Sequence, residues 1–281
     1  MKLIETTAEV QTLAETMQVR QETIALVPTM GYLHEGHLSL MRIARSLADN
    51  LAVSIFVNPK QFSPSEDLDN YPRDVARDLD LCRQEGVDVV FAPGENEVYP
   101  PGFQTQIHLL YLPEHLCGLS RPGFFGGVAT VVTKLFNIVR PHVAVFGEKD
   151  YQQLLVVRQL AQDLNLPVEV VAGPIIREPD GLAMSSRNNY LDATQRQSAL
   201  CLSQSLTLAQ QMVDQGAREA EAIIGRAHSL IEKAPQTRID YIRLCDPLTL
   251  EDVSAIRVPT RMLLAVWVGR TRLIDNQLLA L

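Results

Sequence analysis

The first chemical signal in this chain is the segment Pro28-Thr29-Met30-Gly31-Tyr32-Leu33-His34-Glu35-Gly36-His37, which follows an apolar run and precedes an amphipathic one. A strand ending here and a helix starting here would leave free backbone N–H groups at the helix start, a setting that attracts phosphate. Gly31 and Gly36 lack a Cβ and let the backbone bend and approach a ligand. His34 and His37 can then face one pocket. Imidazole donors suit a triphosphate whose bridging oxygen gains negative charge as pyrophosphate departs. The alternative for H-x-x-H is an exposed or metal-binding pair. The strand, glycine and helix setting favours phosphate, and the other four histidines lie in unrelated places. Neither G-x-x-x-x-G-K-[ST] nor G-x-G-x-x-G occurs, so the common routes to a bound nucleotide are absent.

Three further segments carry matching chemistry. Gly147-Glu148-Lys149-Asp150 follows a second apolar run; Lys149 is placed to hold a phosphate, Asp150 or the Gly147 backbone to accept from a ribose, and Gln153 to reach a polar substrate one helical turn on. By itself E-K-D also reads as a capped strand-to-helix turn. Met184-Ser185-Ser186-Arg187 comes after the turn sequence Pro179-Asp180-Gly181, and two hydroxyls with a guanidinium can close over phosphates; a plain polar linker is the other reading. Asn58-Pro59-Lys60-Gln61-Phe62 offers amides, which donate and accept together, to a substrate with hydroxyl, carboxylate or ammonium groups.

The elements that must position these residues alternate in the manner of a parallel sheet covered by helices. Strands are predicted at 23–28, 51–57, 88–92, 106–110, 143–146 and 168–172, and helices at 37–49, 73–85, 130–139 and 151–164. A polar loop runs from 58 to 72, and long Pro- and Gly-bearing loops at 93–103 and 111–127 have the length of functional loops. After a boundary near 177–187 the grammar changes, with helices at 193–215 and 217–233 and then strands at 239–244 and 262–268. That pattern predicts a small α+β domain beside the α/β domain.

Bulk properties narrow the class. With 281 residues, of which 46% are hydrophobic and 21% charged, the chain can bury a large core and reads as soluble. A net charge of −8 and a pI near 5.3 argue against a nucleic-acid surface. No basic start with an apolar run and no bilayer-length apolar stretch is present, which predicts no membrane association and a cytoplasmic location. Cys82, Cys117, Cys201 and Cys245 are scattered, with no C-x-x-C pair, and read as reduced structural thiols.

In this order the four segments resemble the pantothenate synthetases, a family of the nucleotidyltransferase superfamily marked by H-x-G-H and K-M-S-K-S-like signatures. The resemblance runs through Val57-Asn58-Pro59, Tyr71-Pro72-Arg73, Arg121-Pro122-Gly123, residues 146–153, Asp180-Gly181-Leu182-Ala183-Met184-Ser185-Ser186-Arg187-Asn188 and Thr271-Arg272-Leu273-Ile274-Asp275-Asn276. It covers nearly the whole chain. It implies a Rossmann-like domain at residues 1–176 that binds ATP and pantoate, a hinge and phosphate loop at 177–187, and a C-terminal α+β lid at 188–281.

Carried over by position, the resemblance places His34, His37, Lys149 and Arg187 as catalytic groups. Met30, Gly31, Gly36, Gly147, Glu148, Asp150, Ile176, Met184, Ser185 and Ser186 join them around ATP. Met30, Asn58, Gln61, Arg121 and Gln153 fall to pantoate and β-alanine. Mg²⁺ would ride on the ATP phosphates, with no metal held by the protein alone, and the family implies a homodimer. Two positions depart from the pattern: Phe124 stands where the family has histidine in R-P-G-H-F, and Ala183 precedes Met184 where the wider signature has lysine.

The implied reaction condenses (R)-pantoate with β-alanine through a pantoyl-adenylate, releasing pyrophosphate and AMP and yielding pantothenate for coenzyme A biosynthesis. One rival is a nucleotidyltransferase that stops after moving AMP or CMP onto a phosphorylated acceptor, which would call for more Lys or Arg near residues 58–62. Another is a non-catalytic nucleotide sensor that keeps the fold.

Overall fold

The computed structural model describes residues 1–63 and 67–281. The chain divides into two compact units, one of Met1–Glu148 with Gln153–Pro174 and the other of Lys149–Gln152 with Ile175–Leu281.

The first unit holds β1 (Lys2–Ile4), α1 (Thr7–Val19), β2 (Ile24–Thr29), α2 (Glu35–Arg45), β3 (Asn50–Ile55), α3 (Val75–Gln84), β4 (Val89–Phe91), α4 (Glu95–Val98), α5 (Leu116–Ser120), α6 (Phe124–Val139) and β5 (Val143–Gly147). It ends with most of α7 (Tyr151–Asp163) and with β6 (Glu169–Gly173). The six strands form one parallel sheet in the order β1-β4-β3-β2-β5-β6. Both faces are covered, so β2 reads as a nearly unbroken apolar run: Ala25 and Val27 join Met41 of α2 in one core layer while Leu26 is buried on the other face. This is the Rossmann-like α/β architecture. From β2 the connections run outward one way through β3 and β4 and the other way through β5 and β6. Ligand crevices in open parallel sheets lie at such a reversal, outside the carboxyl ends of the strands, here β2 and β5.

Two expectations for this unit need correction, and its first two elements were not expected. Residues 106–110 are not a strand: Ile107 N–H donates to Thr130 Oγ1 at 3.0 Å, so a helix side chain, not a sheet neighbour, satisfies this backbone. The helix expected at 130–139 starts at Phe124, because Gly126 and Gly127 lie inside it and allow close packing. A Cβ at Gly127 would stand 2.1 Å from the Lys60 carbonyl oxygen. The N-terminal β1 and α1 went unforeseen, although Thr6 caps α1 and Val10, Ala14 and Met17 carry its buried spacing. The polar loop at 58–72 includes a short 3₁₀ turn at Pro59–Gln61, and its part at 64–66 lies outside the described residues.

In the second unit, α8 (Ala193–Ala199), α9 (Cys201–Asp214) and α10 (Ala220–Ile231) precede an antiparallel sheet of β7 (Thr237–Cys245), β8 (Thr260–Val268) and β9 (Thr271–Leu279). It is a small α+β unit. The helix expected at 193–215 is two helices that meet at Leu200. β9 went unforeseen because Asp275 and Asn276, both 2% exposed, break the apolar alternation of a buried strand.

A short antiparallel bridge, Arg177 with Ala183, closes a hairpin over Gly181 (φ +94°). Arg196 donates to Glu178 at 2.7 Å and to Asp180 at 2.8 Å, and holds the Glu178 carboxyl below its usual range, with Asn188 adding a donor against the opposing cost of burial. A depressed folded value means that this stabilisation is present above pH ~4.5 and is lost as pH falls through the lower folded value. Arg196→Ala should therefore lower the melting temperature by roughly 2–4 °C at pH 7, and by much less near pH 3. Thermal melts at the two pH values check this; equal losses at both would place the effect outside the ion pair.

None of the four cysteines is in a disulfide and all are buried, and burial pushes the thiols of Cys82, Cys201 and Cys245 up to about 12. No helix of the described residues is long and apolar enough to cross a membrane.

Candidate active site

The first unit brings the H-x-G-H segment to the end of β2. Thr29 Oγ1 donates to the Ser54 carbonyl at 2.8 Å and accepts from Gly31 N–H at 3.2 Å, which anchors the turn to β3. Gly31 has φ +81°, the left-handed region that favours glycine, and a Cβ there would sit 2.9 Å from Asp78 Oδ2. His34 caps α2 in extended conformation, and the His34 and His37 rings lie 4.1 Å apart.

His34 N–H donates to His37 Nδ1 at 3.3 Å. A neutral imidazole that accepts at Nδ1 carries its proton on Nε2, so this bond assigns His37 the tautomer that can donate from its other nitrogen. The helix start and that N–H together make an anion-facing surface.

One residue of this arrangement escaped the sequence reading. Asp78, in the first turn of α3 and 1% exposed, accepts from Tyr32 N–H and Leu33 N–H at 2.7 Å each. Burial raises its carboxyl above the usual range and the two backbone donors oppose that shift. In the sequence Asp78 reads only as one more charge on an amphipathic helix, and its burial is a feature of the fold. Its partners are 45 or 46 residues away in the chain.

The amide segment packs beside it. Asn58, 1% exposed, donates through Nδ2 to Gln61 Oε1 at 3.0 Å and to the Gly127 carbonyl at 3.1 Å, and accepts at Oδ1 from Tyr99 O–H at 2.8 Å and from Lys60 N–H at 3.3 Å. Its four hydrogen-bonding positions are all used on the protein, so Asn58 fixes how Gln61 is presented. Gln61 Nε2 donates to Met30 Sδ at 3.1 Å, a weak acceptor that a ligand oxygen could displace. Arg121 donates to the Gln61 carbonyl at 3.2 Å and lies 3.6 Å over the Phe124 ring. The aromatic side chain at the family histidine position thus packs on the guanidinium. Met30, Asn58, Gln61 and Arg121 form one connected group in this unit; separately, Gly147 ends β5, Glu148 follows it, and Gln153, half-buried, lies in the first turn of α7.

The second unit carries the other candidates. Lys149 follows Glu148 in a 3₁₀ turn; its side chain is 20% exposed and Nζ lies 3.7 Å from Asp150 Oδ2. Ile176 accepts from Met184 N–H at 2.9 Å, which places Met184 at the base of the hairpin. Ser185 then caps the 3₁₀ turn Ser186–Tyr190, its Oγ accepting from Arg187 N–H at 3.3 Å. Ser186 is buried and Arg187 half-buried. Among the described residues, no group of three or more His, Cys, Asp and Glu side chains could hold a metal ion. The donor set present, imidazole N–H, ammonium, guanidinium and hydroxyl, suits phosphate, and a cation brought in on that phosphate is compatible with it.

Fold and site together define the class: an α/β protein with a histidine-bearing helix start at the reversal point of a parallel sheet and a buried, hydrogen-bonded amide cluster in the same unit. The sequence matches the family described as "Pantoate-beta-alanine ligase" over residues 2–278, and the chain belongs to that family. It is 57% identical over 279 residues to a protein named pantothenate synthetase from Desulfatibacillum aliphaticivorans, covering 99% of each chain. The solved structure of the pantothenate synthetase from Thermus thermophilus superposes with a TM-score of 0.96 at 43% identity, covering 100% of each chain. The Francisella tularensis pantoate-beta-alanine ligase, whose structure was solved "complexed with beta-gamma ATP and beta-alanine", matches with a TM-score of 0.83 at 33% identity, covering 99% of this chain and 97% of that one.

Proposed function

We infer that this protein joins (R)-pantoate to β-alanine with ATP, and that the residues assembled above carry the reaction. The observation that bears most weight is the His34–His37 pair at the start of α2, in which Nδ1 of His37 accepts a backbone N–H, so that the neutral ring would carry its proton on Nε2. In the first step the pantoate carboxylate attacks the α-phosphorus of ATP, the bond to the bridging oxygen breaks, and pyrophosphate leaves with the electron pair. A carboxylate is already a nucleophile, so the step needs orientation and charge neutralisation, not a base. His34, His37, Lys149, Ser185, Ser186 and Arg187 are assigned to the phosphates. Gly31, Gly36, Gly147, Glu148, Asp150, Ile176 and Met184 are assigned to the rest of the nucleotide. Mg²⁺ carried on the ATP phosphates would supply further charge neutralisation there, beside Lys149 and Arg187.

In the second step the neutral amine of β-alanine attacks the acyl carbon, and AMP leaves as the amide forms and the nitrogen loses its proton. Met30, Asn58, Gln61, Arg121 and Gln153 are assigned to the two acids. In this reading residues 1–176 bind nucleotide and pantoate, 177–187 form the phosphate loop, and the protein works in the cytoplasm as a homodimer. Light scattering of the purified protein tests the last point.

The deciding assay supplies ATP, Mg²⁺ and pantoate with and without β-alanine. AMP should accumulate only when β-alanine is present. AMP release indifferent to β-alanine would mark a simple nucleotidyltransferase or a hydrolase. Gln61→Ala should raise the Michaelis constants for pantoate and β-alanine by roughly tenfold, the worth of one or two hydrogen bonds in a closed site. Steady-state titration of each acid measures it, and unchanged constants for both would remove Gln61 from the acid site.

A further inference from the structure

The segment Thr271-Arg272-Leu273-Ile274-Asp275-Asn276 stands out in the sequence but has no place in the chemistry above. It supplies most of β9, where Asp275 and Asn276 are both 2% exposed. Buried polar side chains in a strand need partners, and these two have specific ones. Asp275 accepts from Arg177 at 2.6 and 3.0 Å, a bidentate pair at the root of the hairpin that leads to Ser185, Ser186 and Arg187; Arg177 also donates to the Gly181 carbonyl at 3.1 Å. Asn276 Nδ2 donates to the backbone carbonyl of Lys149 at 3.0 Å.

The orientation of that amide is forced. Arg261, 6% exposed and 3.7 Å over the Tyr151 ring, donates to Asn276 Oδ1 at 2.5 Å. A guanidinium can only donate, so the oxygen of Asn276 must face it and the nitrogen must face Lys149. Lys149 Nζ lies 3.7 Å from Asp150 Oδ2, beyond hydrogen-bond distance, so the bond from Asn276 to its carbonyl holds the residue through its backbone. Consecutive strand residues point to opposite faces, so Asp275 and Asn276 reach two different segments from one dipeptide.

We propose that Asn276 is a positioning residue for Lys149: it pins the Lys149 peptide while Asp275 beside it pins the hairpin root, so that one step of β9 sets the spacing of the two phosphate-facing segments of this unit. The proposal rests on the assignment of Lys149 to the ATP phosphates.

A double-mutant cycle tests it, read as pyrophosphate release from ATP and pantoate. Asn276→Ala should lower kcat about tenfold with the Michaelis constant for pantoate unchanged, and should cost nothing further once Lys149→Ala is present, because a group acting through Lys149 has nothing left to position. Asn276→Asp keeps the acceptor for Arg261 and loses the donor to Lys149. It should fold as the parent does and fall with Asn276→Ala, which covers the case in which the alanine variant does not fold. The same cycle with Asp275→Asn and Arg187→Ala should show the same loss of additivity. Parent-like kcat in both Asn276 variants, or an equal cost with and without Lys149, overturns the role of Asn276; additivity in the second cycle overturns that of Asp275. Parent-like pyrophosphate release by Lys149→Ala alone is a separate result that removes the assignment on which the proposal stands.

Discussion

His37→Ala should lose about 10²- to 10³-fold in pyrophosphate formation, roughly 3–4 kcal/mol of transition-state stabilisation, while its melting temperature stays near that of the parent. The size follows from what the side chain does. His37 is half-buried at the first turn of α2, and its Nδ1 accepts from His34 N–H, which fixes the ring and puts the proton on Nε2 as a donor held at a helix start. A donor held in place before charge develops needs no reorganisation when pyrophosphate separates, which is why its removal costs more than an ordinary surface hydrogen bond. His37→Gln, which can still donate from an amide nitrogen, should recover part of the loss. Single-turnover measurement of pyrophosphate separates this from an effect on the second step. A parent-like rate for His37→Ala would dismiss its assigned role.

The second large effect is expected at Asp78, through the backbone and not the ligand. Asp78→Ala leaves the N–H groups of Tyr32 and Leu33 without their acceptor in a region where Leu33 is fully buried. Each such orphaned donor costs about 1–3 kcal/mol, so a loss of roughly 2–5 kcal/mol is expected, read as a fall in the urea midpoint. Catalysis should suffer as well, because these two peptides lead directly into His34. Asp78→Asn keeps one acceptor oxygen and should sit between the two. If Asp78→Ala unfolds at the parent midpoint, the clasp carries no weight and the turn is held by Thr29 and Gly31 alone.

The sheet strands next to the candidate site were legible in sequence because they are buried on both faces, so a continuous apolar run followed by a glycine-bearing turn marks them. The same reasoning located the histidine pair, the lysine turn, the serine–arginine segment and the amide loop, since each falls just after an apolar run or a turn signal. It failed where a partner far along the chain supplies what the local pattern lacks. Residues 106–110 look like a strand by composition, but Thr130 of α6 takes the backbone donor of Ile107. Gly126 and Gly127 look like a loop, yet they lie inside α6 and are glycine because of close neighbours: a Cβ at Gly127 would stand 2.1 Å from the Lys60 carbonyl oxygen and one at Gly126 3.0 Å from Gln106 Nε2.

Local pattern also concealed the residues that hold the candidate groups in place. Asp78 reads as one more charge on an amphipathic helix, and Asp275 and Asn276 read as an interruption of a strand. What this sequence determined by itself was the kind of fold, the chemical types of the residues proposed for phosphate and acid binding and the resemblance that names the substrates, all of which depend on short-range periodicity and motif. Only the tertiary structure decided which backbone groups those residues hang from, which tautomer His37 takes and which buried amide faces Lys149. The backbone anchors are set by hydrogen bonds between residues 45 and 127 positions apart and the amide's orientation by a partner 15 positions away on the neighbouring strand, and burial makes leaving them unformed expensive.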